Sequence, residues 1–178
     1  NVVPVLYADI ADVSGKQYAL LAQEYVKGGS LSGKLNSRNF MPADTVVKYM
    51  IDVLSGLEYL HCNGIYHNDI KPSNILLGAA GQAQLADYGI SGVDASGKSL
   101  SITPKSAYKI HRAPETASST PVINPQTEVY QVGVTAFRLL NGISLVKDDF
   151  QTLPENEFNR LKGEGKLPRS TDYLPFIP

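Results

Sequence analysis

The sequence predicts an α+β fold that is mainly α-helical, with a few short strands grouped near its start and middle. Two helical stripes and two pairs of short strand-like runs carry that prediction. Val46, Met50, Val53, Leu57 and Leu60 recur at spacings of four, three, four and three, which puts them on one face of a helix. A second periodic run extends from about Gln126 to Leu140.

Taken in order, "VVPVLYADI" predicts a strand from Val2 to Ile10, and "KQYALLAQEYV" a second from Lys16 to Val26. The link "ADVSGK" is a turn containing Gly15. The apolar stretch "ALLA" suits a strand covered on both faces. "KGGS" ends it, and a short helix follows from Leu31 to about Arg38. The long helix spans Pro42 to Cys62, with proline suited to its first turn and Asn63-Gly64 supplying a left-handed stop. "NILLG" and "AQLADYG", joined by "AAGQ", predict a hairpin. Residues 90–109 are rich in Ser, Gly, Lys and Asp without periodicity and read as a long loop. The second long helix ends at Asn141-Gly142, and a shorter one is predicted around Glu155 to Lys162.

Composition narrows the function classes. The 178 residues are 43% hydrophobic and 19% charged, ordinary for one globular domain with a real core. A net charge of −1 gives no basic footprint for nucleic acid and no cationic amphipathic stretch for a membrane surface. No apolar run approaches the roughly 20 residues that span a bilayer. The sole cysteine, Cys62, cannot form an internal disulfide, which favours a reducing, cytoplasmic setting. At the end of a helix it reads as a buried small hydrophobe. The apolar starts and ends of the chain, "NVVPVLYADI" and "STDYLPFIP", suggest a piece of a longer protein.

The chemistry concentrates in "YHNDIKPSNILL", Tyr66 to Leu77, and in "DYG" at Asp87 to Gly89. Lys71-Pro72 keeps the segment out of a helix, because the residue before proline is pushed to extended backbone. Asp69, Lys71 and Asn74 can then project from one loop toward a common point. A carboxylate there can accept a proton from an attacking hydroxyl. The lysine can neutralise charge on a transferred phosphoryl group, and an amide oxygen suits Mg²⁺. Asp87, at a strand end, supplies a second oxygen ligand. Acid, cation, amide and second carboxylate are what phosphoryl transfer requires.

The order of these motifs resembles the large lobe of eukaryotic-type serine/threonine protein kinases. "HNDIKPSN" is similar to their catalytic loop, "DYG" to their magnesium triplet and "APE" at Ala113 to Glu115 to the end of their activation segment. "QEYVKGGSL" from Gln23 resembles the hinge, and "TEVYQVGVTAFRLLNG" from Thr127 the central helix. The resemblance implies that residues 1–26 are the last small-lobe strands and hinge, with 27–178 a truncated large lobe. It implies Asp69 as catalytic base, Lys71 as partner of the phosphate, and Asn74 and Asp87 as magnesium ligands. Gln23, Glu24, Val26, Ser30 and Leu76 would then surround the nucleotide of ATP. His67 and Tyr88 would couple the catalytic loop to the metal triplet. A protein hydroxyl would be the acceptor.

Several positions depart from the family pattern. Asn68 replaces the arginine that answers an activation-loop phosphate, which argues against switching through Ser99, Ser101, Thr103 or Ser106. Glu128 replaces the aspartate that ties down the catalytic-loop backbone. Tyr108 stands where a threonine is common, and Tyr88 where phenylalanine is. No glycine-rich loop, strand lysine or helix glutamate precedes the hinge, and the arginine that usually pairs with the acid at Glu115 is missing. By this reading the chain alone would not turn over. The competing readings are a kinase-derived scaffold, or a small-molecule kinase, against which "KPSN" and "APE" argue.

Overall fold

A computed structural model describes residues 1–35, 41–87, 92–93, 100–101, 111–117, 122–142 and 153–166. The chain opens with β1 (Val5–Val13) and β2 (Lys16–Gln23), an antiparallel ribbon. Its turn places Ser14 at φ 56° and Gly15 at φ 78°, the two left-handed residues that a tight type I′ hairpin needs. The predicted strand from Val2 is broken at Pro4, which has no N–H for a ladder. Val2 instead forms a parallel bridge with Leu85, and Val3 donates its N–H to Leu85 O at 2.8 Å. The second strand stops at Gln23 rather than Val26, and the Glu24 N–H makes the last contact with the neighbouring chain, to Pro4 O at 3.0 Å.

The expectation that "ALLA" is covered on both faces is overturned. Leu20 and Leu21 are 47% and 52% exposed. Successive strand residues point to opposite faces, and the neighbours Leu6 and Tyr7 are exposed as well, so both faces of the ribbon lie open among the described residues.

Helix α1 (Leu31–Lys34) is capped by Ser30, whose Oγ accepts from Gly33 N. Helix α2 (Ala43–Cys62) buries Val46, Met50, Val53, Leu57 and Leu60, the stripe that the sequence predicts. Each such side chain taken from water contributes about 1.5–3 kcal/mol. Gly64, at φ 69°, reverses the chain after it. Cys62 is exposed, not buried: the stripe ends at Leu60, and Cys62 sits off that face.

Strand β3 (Ile65–Tyr66) leads into the loop that ends in a 3-10 turn, Pro72–Asn74. Strands β4 (Ile75–Leu77) and β5 (Ala83–Leu85) form the expected antiparallel hairpin. Inside the region predicted as loop, β6 (Gly92–Val93) pairs with β3 and β7 (Leu100–Ser101) pairs with β8 (Val122–Ile123). The remaining elements are α3 (Pro125–Asn141) and α4 (Glu155–Gly163). Asn124 and Thr127 form a reciprocal capping box at the start of α3, and Gly142 at φ 79° follows its end. One core, built from α2, α3, β4 and β5 with Leu31, Leu35 and Ile70, supports the loop. Helix α1 stops at Lys34 rather than near Arg38, because Leu35 turns to extended backbone at φ −89°, ψ 126°. The readings made for Tyr88, Tyr108, Ser99, Thr103 and Ser106 lie outside the described residues.

Candidate active site

Asp69, Lys71 and Asn74 converge as the spacing predicts. Lys71 extends at φ −157°, ψ 162°, the backbone that a following proline enforces. Its Nζ donates to Asp69 Oδ2 at 2.6 Å, and Asn74 Nδ2 donates to the same oxygen at 2.9 Å. Asp69 Oδ1 is buried and has no hydrogen-bond partner among the described residues. One carboxylate oxygen is therefore held in place while the other is left for an incoming donor.

The loop bearing Asp69 is polar yet buried, so its backbone groups need partners. Side chains supply all of them from Asn68 to Ile70. Asn68 N–H donates to Glu128 Oε1 at 2.5 Å, and Asn68 O accepts from Gln131 Nε2 at 3.2 Å. Asp69 N–H donates to His67 Nδ1 at 3.3 Å, while Asp69 O accepts from Asn74 Nδ2 at 2.9 Å. Ile70 N–H donates to Gln131 Oε1 at 3.0 Å, and Ile70 O accepts from Thr135 Oγ1 at 3.4 Å. Asn68 sits at φ 61°, a left-handed conformation that asparagine tolerates better than most residues.

Glu128, Gln131 and Thr135 lie on one buried face of α3, at spacings of three and four. Glu128 reaches the loop despite its extra methylene, and its other oxygen accepts from His61 Nε2 at 2.5 Å. Gln131 and Thr135 were not singled out by the sequence. Their signal was a polar row at helical spacing beside an otherwise apolar stripe, which a search for titratable residues passes over. His67, fully buried, donates from Nε2 to Ala86 O at 2.9 Å and so fastens the loop to the end of β5.

The two oxygen donors suited to a cation come from adjoining backbone. Ala86 N–H donates to Asn74 O at 2.9 Å, so Asp87 follows directly on the residue bonded to Asn74. Asp87 is exposed and sits at φ 66°, which turns the chain sharply after β5. The Asn74 amide oxygen accepts from Ser73 Oγ at 3.1 Å. An amide and one carboxylate, both hard oxygen ligands, fit Mg²⁺, which usually keeps several waters. Among the described residues no group of three His, Cys, Asp or Glu could hold a metal by itself.

Gln23, Glu24 and Val26, expected from the sequence to form a hinge, stand at and just past the end of β2. Gln23 is half-buried with its Nε2 unpartnered, Glu24 is exposed and Val26 half-buried. The chain then runs against β4: Gly28 N–H donates to Leu77 O at 3.1 Å, and Leu77 N–H to Gly29 O at 2.9 Å. A Cβ on Gly28 would meet Leu77 O at 2.2 Å, so this glycine permits the contact. Ser30 bridges Leu76, bringing both to the same junction, although the Ser30 hydroxyl is engaged in capping α1.

Behind the loop, His111 is buried; Arg138 Nη1 lies 2.7 Å from its Nε2 and Thr135 Oγ1 3.4 Å from its Nδ1. Burial first, then the charges of Arg138, Lys162 and Lys71, push its pKa down to about 3. Arg138 therefore donates to a neutral ring. Glu115 Oε1 accepts from Thr127 Oγ1 at 2.9 Å, which ties this segment to the start of α3.

Comparison with known proteins agrees with this geometry. Residues 4–171 match the protein kinase domain family. The chain is 30% identical over 169 residues to probable serine/threonine-protein kinase MARK-C of Dictyostelium discoideum, covering 94% of this chain and 21% of that protein. It is 33% identical over 142 residues to CBL-interacting serine/threonine-protein kinase 21 of Arabidopsis thaliana, covering 80% and 33%. A serine/threonine-protein kinase of Corynebacterium efficiens is 30% identical over 136 residues, covering 76% and 26%. The chain thus spans between a fifth and a third of the length of these relatives. With a family match over most of its residues and the loop assembled around Asp69, the chain belongs to the protein kinase domain family.

Proposed function

We propose that this chain is the catalytic-loop part of an ATP-dependent serine/threonine protein kinase, with residues 1–26 acting as strands and hinge and the rest as large lobe. The observation that carries the reading is the asymmetry of Asp69. Oδ2 is fixed by Lys71 and Asn74, while Oδ1 is buried and unpartnered. A substrate hydroxyl placed on Oδ1 would give up its proton there as its oxygen bonds to the terminal phosphorus of ATP and the bond from that phosphorus to the bridging oxygen breaks, releasing ADP. Lys71, already beside the carboxylate, would face the negative charge on the transferred group. Asn74 and Asp87 would hold Mg²⁺, which when bound neutralises charge on the phosphate oxygens. Gln23, Glu24, Val26, Ser30 and Leu76 would receive the nucleotide along the hinge.

The test is phosphate transfer from labelled ATP to a serine-containing protein by the intact protein and by Asp69→Asn. That variant keeps a hydrogen-bonding side chain and removes the proton acceptor. Transfer should fall by about 10²–10⁴-fold with the circular dichroism spectrum unchanged. Equal transfer by both would sink the assignment and leave the scaffold reading.

A further inference from the structure

One side chain holds both peptide planes that flank Asp69. Each peptide unit is planar, so two backbone rotations, one toward each neighbouring plane, set the direction of the Asp69 side chain. The plane before it carries Asn68 O, which accepts from Gln131 Nε2 at 3.2 Å. The plane after it carries the Ile70 N–H, which donates to Gln131 Oε1 at 3.0 Å. A single orientation of the amide serves both bonds. Gln131 is 1% exposed, so water does not compete for either. Its backbone is anchored in α3 and also bonds to the buried His111 ring. His67 and Asn74 meet one plane each: His67 Nδ1 accepts from the Asp69 N–H at 3.3 Å, and Asn74 Nδ2 donates to Asp69 O at 2.9 Å. Both stand within five residues of Asp69 and belong to the loop itself. Glu128 and Thr135 hold the outer groups, Asn68 N–H and Ile70 O. Gln131 thus ties both planes to a separate, packed helix.

We propose that Gln131 is a positioning residue of phosphoryl transfer: by fixing both planes, its amide sets the direction in which Asp69 Oδ1 meets the acceptor hydroxyl. This rests on the kinase reading above. Oδ1 has no partner of its own among the described residues, so its place follows from the backbone and from the bonds on Oδ2. The bonds of the Gln131 amide run to the loop backbone. Its loss should therefore slow the chemical step and leave substrate affinity nearly unchanged.

The test is Gln131→Met in the intact protein, which keeps an unbranched side chain of similar length and removes both bonds. Single-turnover transfer from labelled ATP to a serine peptide, measured by rapid quench, reads the chemical step directly. Its rate should fall by about 10–100-fold, while KM for ATP and for the peptide stays within about twofold. Val46→Ala, a core change in α2 outside the loop, should leave the rate unchanged under conditions where circular dichroism shows both variants folded. Gln131→Glu, when ionised, keeps the acceptor for Ile70 and loses the donor to Asn68. It should show the same split between rate and KM, and it serves where Gln131→Met does not fold. A wild-type rate in both Gln131 variants, a loss carried by KM instead, or an equal loss in Val46→Ala would overturn the proposal. Amide hydrogen exchange gives a readout independent of turnover: the Ile70 N–H should exchange about tenfold faster in Gln131→Met. Unchanged exchange would show that the amide does not hold the plane. Faster exchange with undiminished transfer defeats the positioning role alone. Faster exchange in a protein whose unsubstituted form transfers no phosphate defeats the kinase reading.

Discussion

Leu20 and Leu21 in β2 and Leu57 and Leu60 in α2 are the same side chain with opposite fates. The first pair stands 47% and 52% exposed, and the second 2% and 4%. The ribbon's strands pair only with each other among the described strands, and no second layer of described residues covers its faces. The stripe of helix α2 meets β5 and α3, and burial follows from that second layer. The catalytic-type loop inverts the pattern. Its residues are polar, yet they lie deeper than the ribbon's leucines, because side chains of α3 partner the backbone groups of Asn68 and Ile70 while His67 and Asn74 partner those of Asp69. Hydrophobicity alone therefore does not decide depth here; the presence of a matching neighbour does.

The largest effect should come from removing that neighbour. Glu128→Ala leaves the Asn68 N–H and the His61 ring without their carboxylate. Unfolding of the chain in denaturant should show a loss of about 3–5 kcal/mol, the range for breaking a buried charged contact. A loss under about 1 kcal/mol would mean that the loop holds its shape without α3.

His111 gives a pH-dependent form of the same comparison. In the unfolded chain its imidazole titrates near the ordinary value of about 6.5. In the folded chain burial and the neighbouring cations push it down to about 3. Between those values the unfolded state binds the extra proton, so stability falls as pH drops, by about 1.4 kcal/mol per unit. Unfolding measured at pH 6.5 and pH 5 should differ by about 2 kcal/mol, and His111→Gln should flatten that slope. An unchanged slope would show that the proton reaches the folded ring.

The smallest effect belongs to the ribbon. Leu20→Ser removes apolar surface that is already half in water, so the 178-residue chain should change by no more than about 0.5 kcal/mol. A loss well above that would break the comparison, because it would require something to cover the ribbon in solution.

Much of this architecture was legible because it depends on short-range periodicity. The α2 stripe, the Asn141-Gly142 stop of α3, and the β4–β5 hairpin each follow from residues a few positions apart. The convergence of Asp69, Lys71 and Asn74 was equally local, since they share six positions and Pro72 sets the backbone between them. Glu128 could be tied to the loop only by its position in a family pattern. Gln131 was marked only by its place in a polar row of α3, which does not reveal its partners, because its amide acts on residues more than 60 positions away. The strand predicted from Val2 failed for a related reason, as Val2 and Val3 pair with Leu85 rather than with β2. Cys62 looked buried because its helix is, although a side chain's depth depends on which face it occupies.

By itself the sequence determined where helices and turns begin and end, and which chemical groups the loop carries. Those depend on local backbone preference and on residue type. Only the tertiary structure decided that one Asp69 oxygen is held while the other is left open. It also decided that the leucines of β2 lie bare while the loop's peptide groups are sealed. Burial and hydrogen-bond partnership are properties of what packs against a segment, and the packing neighbours come from distant parts of the chain.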